Sequence, residues 1–495
     1  MNSIPHIPAL RAGKYYDSLD RAEVKDFRSG QVKGMVSQVN AGAVRKDLRR
    51  LSEARAALQE FTTVQLIKIC AEAGDEFLNG SLPLGHGERS QSAQDYIETL
   101  SATSGLPHVM VRHNMTKIHH ALTHMGSILN GLTRGLDLTI LDKGAGRQAG
   151  VPLCFYAKTQ ALGVVMPSNS PAVNSLWLPA VALKIPVIIK PGKDEPWTPF
   201  RLIQAFIAAG CPAEAFGFYP TDHEGAAAIL HLCQRALLFG DQSTTQQYAG
   251  NRGIEIHGPG YSKILIGDDQ IERWPEFLDL MVSSISDNGG RSCVNASAIV
   301  VPKYAEEISE ALARKLSSLH PTALNDNHAR LSGFANPKMA ESIDAAIEHG
   351  LKTAGVTEVT ASYRNGPRKV LFEGGTYLRP TIVRCDSFNH PLANREFLFP
   401  FASVVSVPQN QMLKQIGPSL VVTAITEDSH LQQQLIESPL IQRLNLGNIP
   451  TTRISWEQPH EGNMFEFLYQ RRAIERAEIG LGIKAEISSR QAVEV

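Results

Sequence analysis

The chain has 495 residues, more than one hydrophobic core can organise, so two or three domains are expected. With 43% hydrophobic residues, 20% charged residues and a formal net charge of -1, it has a globular composition. It lacks the cationic excess needed to bind nucleic acid or an anionic membrane.

Cys70, Cys154, Cys211, Cys233, Cys293 and Cys385 are scattered without CxxC spacing, which argues against a disulfide scaffold and fits a reducing cytoplasm. Residues 1–16 have no apolar core of the signal-peptide kind. The longest apolar run, 176–189, is interrupted by Pro179, Lys184 and Pro186, so no transmembrane segment is expected.

Residues 20–136 are rich in Ala, Leu, Arg, Glu and Gln, with helical periodicity over 64–77 and 115–132, and predict a helical first segment. Its histidines include His120 and His124 at i, i+4. No carboxylate or cysteine joins them at ligand spacing, so they read as helix-face residues and no metal is expected. Beyond residue 144 the pattern changes. Residues 151–157, 162–166, 187–190, 215–219 and 236–239 read as strands, with helices over 199–209 and 223–232. Such alternation predicts a parallel sheet covered on both faces, with ligands at the carboxyl ends of its strands.

Three loops fall at those ends: Met166-Pro167-Ser168-Asn169-Ser170-Pro171, Lys190-Pro191-Gly192-Lys193 and Gly240-Asp241-Gln242-Ser243-Thr244. The GxGxxG dinucleotide fingerprint is absent, and His257-Gly258-Pro259-Gly260, the nearest approach to it, opens no helix. A second α/β region starts near 263, with helices over 273–285, 305–319 and 339–349 and strand-like runs at 298–301, 376–383 and 404–407. Residues 465–469 are expected to pack, and the last ten to form a loose tail or an arm to a neighbouring subunit.

Between helix 273–285 and strand 298–301 lies Asn288-Gly289-Gly290-Arg291-Ser292-Cys293. At such a junction backbone N–H groups can face an oxyanion and little bulk obstructs a substrate, which suits a nucleophile. A small buried thiol filling a packing gap would occupy the same position.

Four motifs, in order, resemble the aldehyde dehydrogenase superfamily over residues 150–407. Pro167-Ser168-Asn169-Ser170-Pro171 is similar to the PWNFP segment and Lys190-Pro191-Gly192-Lys193 to KPAE. Gly290-Arg291-Ser292-Cys293 is similar to GQxC, and Glu396-Phe397-Leu398-Phe399-Pro400 to EIFGP. The resemblance implies an α/β fold with a parallel-sheet NAD(P)-binding domain over 143–262, which carries a small oligomerisation hairpin near 143–160. An α/β catalytic domain would span 263–440. A helical segment, 1–142, would precede them, and a C-terminal segment, 441–495, would return to the cofactor domain and the subunit interface.

It also implies that Cys293 captures an aldehyde as a thiohemiacetal and then carries the acyl thioester. Asn169 and the backbone N–H of Cys293 would hold the oxyanion. Lys190 would meet the adenine-side ribose and Glu396 the nicotinamide ribose, with Met166, Pro167, Ser168, Gly240, Ser243, Gly258 and Leu398 around NAD or NADP. A homodimer or homotetramer is implied as well.

Two departures matter. His257 stands where hydrolytic members carry the ELGGK glutamate. One reading gives the acyl group to coenzyme A, whose thiol (reference pKa about 8.5) attacks without a strong base, in a reversible acyl-CoA reduction. Gly258-Pro259-Gly260 resembles the corresponding segment of coenzyme A-using members and favours this reading. The other keeps hydrolysis, with His257 as general base at an unperturbed pKa of about 6.5.

The second departure is Lys193, in place of the glutamate that binds the ribose diol. It removes a clash with a 2′-phosphate and predicts that NADP is accepted. Alternatively Lys193 faces solvent, and Asp194 or Glu195 makes the ribose contact. From another class, a catalytically silent structural or regulatory oligomer is opposed by the intact Cys293, Asn169, Lys190 and Glu396. A cysteine hydrolase is opposed by the lack of a histidine placed to activate Cys293.

Overall fold

The computed structural model describes residues 4–86 and 89–475. Two seven-stranded sheets organise the chain. The first runs, edge to edge, Ile254–His257, Gln234–Phe239, Ala161–Val165, Val187–Lys190, Phe216–Phe218, Ala9–Arg11 and Lys14–Tyr16. Its first five strands are parallel and the last two antiparallel. The short apolar runs that predict these parallel strands are buried on both sides: Leu162, Val164, Val187, Ile189 and Leu237 have no exposed surface. Each such side chain contributes about 1.5–3 kcal/mol of transfer free energy relative to exposure.

The second sheet runs Val356–Glu358, Thr381–Cys385, Phe401–Ser406, Ala296–Val301, Ser262–Ile266, Ser419–Ile425 and Ile441–Leu446. All neighbours are parallel except the first pair. Ile441–Leu446, its edge strand, falls within the stretch assigned to the C-terminal segment. The run 376–383 divides into Gly375–Leu378 and Thr381–Cys385 at Arg379-Pro380, where proline cannot donate to a ladder.

The first segment is not helical from its start. Arg21–Lys25 and Val32–Ser37 form an antiparallel pair. Charged Arg21-Ala22-Glu23-Val24-Lys25 buries only Val24, so its pairing partner rather than its own composition makes it a strand. Helices follow. Thr63–Asn79 and Ala93–Ser104 each begin with a capping box, Thr62 with Gln65 and Ser92 with Asp95, which satisfies otherwise orphaned N–H groups. The periodic run 115–132 is two helices, His108–Thr123 and Met125–Leu132, parted at His124.

Ala145–Gln148 and Val151–Ala157 form an antiparallel hairpin. Met464–Leu468 is a short buried helix, and Tyr469–Arg472 then pairs antiparallel with Val151–Ala157, making it the central strand of a three-stranded sheet. The last ten residues, read as a tail or an arm, lie outside the described residues. Among the described residues no helix is long and apolar enough to cross a membrane, and no group of three or more His, Cys, Asp or Glu side chains gathers at metal-binding distance.

Candidate active site

The carboxyl ends of the first sheet face the amino ends of the second. The chain passes between them through residues 258–261, from the edge strand Ile254–His257 into Ser262–Ile266. Cys293 precedes strand Ala296–Val301, and Glu396 precedes Phe401–Ser406. Loops from both sheets thereby enclose a single cavity of about 440 Å³.

The cysteine loop turns sharply. Asn288, Gly289 and Gly290 all have positive φ, at 53°, 66° and 68°. A Cβ on Gly290 would lie 2.4 Å from the backbone of Phe399 and Pro400, so the cysteine loop and the Glu396 loop meet backbone to backbone. On the other side, a Cβ on Gly260 would lie 2.1 Å from the carbonyl oxygen of Cys293. Asn295 ties the loop down: its Oδ1 accepts from Ser292 N at 2.9 Å, and its amide donates to Ser284 O and Asp287 O. Cys293 O accepts from Ser262 Oγ at 2.8 Å. The loop is fixed before any substrate arrives.

Cys293 is half-buried and lines the cavity. Burial, reinforced by the carboxylates of Glu461 and Glu396, pushes its thiol well above its usual value, against the backbone N–H groups of Cys293 and Val294, which favour the thiolate. It therefore rests as a thiol and would have to lose its proton to act as a nucleophile.

Asn169 Nδ2 donates to Arg291 O at 2.8 Å, which orients the amide into the same cavity. An amide nitrogen carries two N–H donors, so one remains for a developing oxyanion. The Asn169 loop is held from behind. Asn114 Oδ1 accepts from Ser170 Oγ at 3.1 Å and Ala172 N at 3.2 Å, and Asn114 Nδ2 donates to Asn288 Oδ1 at 2.8 Å.

Of the residues singled out from sequence, Pro167, Ser168, Asn169, Gly240, His257, Gly258, Cys293, Glu396 and Leu398 meet around the cavity. Met166, Lys190, Lys193 and Ser243 do not line it. Met166 is buried in the core behind the loop, and Ser243 Oγ donates to Asp241, the cap of the helix Gln242–Gln246. Lys193 is exposed, while its neighbour Asp194 lines the cavity.

Glu195 is not available for a ribose: it is buried, its carboxyl is pushed up to about 8, and it accepts from Thr198 N and Oγ at 2.8 Å. Burial raises Asp194, while Lys193, Arg291 and Lys190 pull it down. Burial also raises Glu396 to about 8, and its Oε2 accepts from Tyr261 N at 2.7 Å. The low bulk of Pro167, Ser168, Gly240, Gly258 and Pro259, together with the acceptors Asp194 and Glu396, fits a nucleotide with ribose hydroxyls.

The geometry around His257 corrects one expectation. The ring stacks on Phe239, with centroids 4.4 Å apart and planes 13° apart. Nδ1 contacts Glu461 Oε2, and Nε2 faces Glu255 Oε1 at 3.4 Å. Burial alone would lower its pKa, but the two carboxylates overcome this and raise it to about 10. His257 is thus an imidazolium held between two glutamates. With both nitrogens protonated it has no lone pair for a proton, and it does not suit the general-base role.

Glu461 went unnoticed in the sequence. It lies 204 residues from His257 and reaches the cavity from the segment after residue 447. Burial would raise its carboxyl, but the imidazolium charge and hydrogen bond hold it below the usual range. The structure thus supplies an ionised carboxylate near Cys293, from a different part of the chain than the motif led one to expect. Asn114 and Lys117 on helix His108–Thr123, with Val173, Leu176, Ile454 and Trp456, complete the wall away from the cofactor loops. Nothing local in the sequence marks these residues, because which helix face meets the site is a tertiary fact.

Structural likeness is broad. The indole-3-acetaldehyde dehydrogenase structure in complex with NAD+ superposes with a TM-score of 0.75 at 15% identity, covering 95% of this chain and 96% of that one. Aldehyde dehydrogenase 21 from Physcomitrella patens, in complex with succinate, gives 0.74 at 16%, covering 97% and 99%. In sequence, the chain is 24% identical over 264 residues to 5-carboxymethyl-2-hydroxymuconate semialdehyde dehydrogenase of Escherichia coli, covering 50% of this chain and 55% of that one. The chain spans about half the length of most of the curated relatives it matches. The sequence profile of the aldehyde dehydrogenase family matches residues 90–416, two-thirds of the chain and every motif from Asn169 to Glu396, and the chain belongs to that family.

Proposed function

We propose that the protein oxidises an aldehyde to a carboxylic acid with NAD(P), through a covalent intermediate on Cys293. The observation that carries this reading is the convergence of Cys293, Asn169 and Glu461 on one cavity with the loops at 167–169, 240 and 396–398. NAD(P), when bound, accepts the hydride. Cys293 gives up its proton to solvent as Sγ attacks the carbonyl carbon, and the oxyanion is held by the free N–H of Asn169 and the backbone N–H of Cys293. Once hydride has left the former carbonyl carbon, the acyl group is a thioester on Cys293. Glu461 then removes a proton from the water that cleaves it.

The case for coenzyme A rests on the missing carboxylate at position 257 and on the likeness of Gly258-Pro259-Gly260 to the segment of coenzyme A-using members. Glu461 restores a carboxylate to the cavity, so we assign release to water. An aldehyde panel with NAD or NADP, each with and without coenzyme A, tests this. Sustained turnover to the acid without coenzyme A is expected. Turnover that requires coenzyme A and yields a thioester would overturn the assignment.

We further propose that NADP is accepted as well as NAD. Lys193, Arg291 and Lys190 all act on Asp194, and this cluster of cations favours a 2′-phosphate beside it. In Lys193→Glu, kcat/KM with NADP should fall about tenfold relative to NAD, as expected for about 1.4 kcal/mol of lost charge complementarity. Equal loss with both cofactors would count against this. Assembly into a homo-oligomer through the hairpin Ala145–Gln148 and Val151–Ala157 is supported by the exposure of Val151 and Tyr156 on its second strand.

A further inference from the structure

Lys117 belongs to none of the catalytic or cofactor motifs. It projects from helix His108–Thr123, one turn beyond Asn114, and lines the same cavity as Cys293. Among the described residues it makes no hydrogen bond or ion pair. Asp287 is the nearest opposing influence, but it is engaged elsewhere: Thr452 Oγ1 donates to it at 3.1 Å, and Arg330 lies 3.8 Å away.

Apart from Asn114, whose side chain is taken up by Asn288, Ser170 and Ala172, the rest of that wall is apolar: Ala172, Val173, Leu176, Ile454 and Trp456. Burial among such groups lowers the ammonium pKa, with Asp287 only partly opposing it. An unpaired ammonium in a half-buried apolar wall is costly, and an anion delivered by a ligand would offset that cost. The cavity of about 440 Å³ that both Lys117 and Cys293 line has room for a spacer of several carbons between an anion and the reacting carbonyl.

Resting on the proposed aldehyde oxidation, we propose that Lys117 is a specificity-determining residue that binds the carboxylate of an oxo acid, whose aldehyde carbon reaches Cys293 across a spacer of several carbons. The substrate class is therefore an ω-oxo carboxylate, and the product a dicarboxylate. The apolar walls take the spacer, and the amine pairs with the distal carboxylate as a point charge.

The test compares 5-oxopentanoate with pentanal, which differ in a terminal carboxylate against a methyl group. In the wild type the kcat/KM ratio should favour the oxo acid at least tenfold. In Lys117→Gln that ratio should fall 10–100-fold, with the change in KM, and Lys117→Arg should retain most of the preference. A ratio that favours pentanal in the wild type, or that is unaltered by Lys117→Gln, overturns the proposal.

Direct binding separates this outcome from failure of the catalytic reading. Glutarate should raise the melting temperature of the wild type and of Lys117→Arg more than pentanoate does, and should lose that advantage in Lys117→Gln. If no aldehyde is turned over yet the glutarate effect follows residue 117, the catalytic reading fails and the anion site stands. If aldehydes are oxidised and glutarate shows no preference, the anion site fails alone.

Discussion

Replacing Cys293 with serine is expected to lower NAD(P)-dependent aldehyde oxidation by about 10⁴-fold or more, because Cys293 is the only thiol among the residues that line the cavity. The surroundings make the loss severe. Burial and the carboxylates of Glu461 and Glu396 already hold the thiol protonated. A hydroxyl, far less acidic, meets the same opposition with none of the sulfur's nucleophilicity. The loop itself is held by Asn295 and Ser262 through backbone atoms that the substitution does not touch, so the melting temperature should stay within a few degrees. Intact-mass spectrometry after mixing with aldehyde and NAD(P) should show an acyl adduct on the wild type and none on the variant. Oxidation within tenfold of wild type would remove Cys293 from the mechanism.

Glu461→Gln should separate attack from release. Glutamine keeps the shape of the side chain but removes its charge and its ability to accept a proton. One equivalent of NAD(P)H should then form in an early phase, followed by steady turnover reduced about 10²–10³-fold as the acyl enzyme waits for water. Wild-type steady turnover with no burst phase in the variant would place water activation elsewhere.

The same substitution carries a pH signature. His257 owes its raised pKa to Glu461 and Glu255, against burial. Its contribution to stability is full below its unfolded value of about 6.5 and disappears as pH rises through about 10. Glu461 is depressed, so its contribution is present above its unfolded value of about 4.3 and is lost as pH falls through its lower folded value. His460, beside Glu461, is pushed down to about 4 by burial and stays neutral across the working range. Denaturant unfolding should therefore show the largest stability gap between wild type and Glu461→Gln at pH values between these limits, closing above about pH 10.

The sequence made much of the first sheet legible. Runs such as Val187-Ile188-Ile189 are apolar because parallel strands are buried on both faces, and the turns that follow reach the cavity. Cys293, Asn169 and Glu396 could be read because each sits in a short contiguous motif. Arg21–Lys25 could not, since most of its side chains face solvent and its pairing makes it a strand. Lys193 carried the right charge at the motif position, but its exposed side chain leaves the cavity lining to Asp194.

His257 lines the cavity, and the motif around it carries no sign of its charge state. Its protonation depends on Glu461, 204 residues away, and on Glu255, two residues earlier on the same face of its strand. Lys117 and Trp456 carry no local sign of their position, which follows from how their segments dock.

The backbone contacts at Gly260 and Gly290 also divide the cavity into a part that cannot change and a part that can. At both points the cysteine loop meets another main chain with no room for a single carbon. Side-chain substitutions there have no way to retune the reaction. The opposite boundary is made of side chains: Lys117, Val173, Leu176, Ile454 and Trp456 can be exchanged without moving a backbone. New substrates, whether reached by selection or by engineering, should therefore be sought along helix His108–Thr123 and around residues 454–456, with the seam beside Cys293 left untouched.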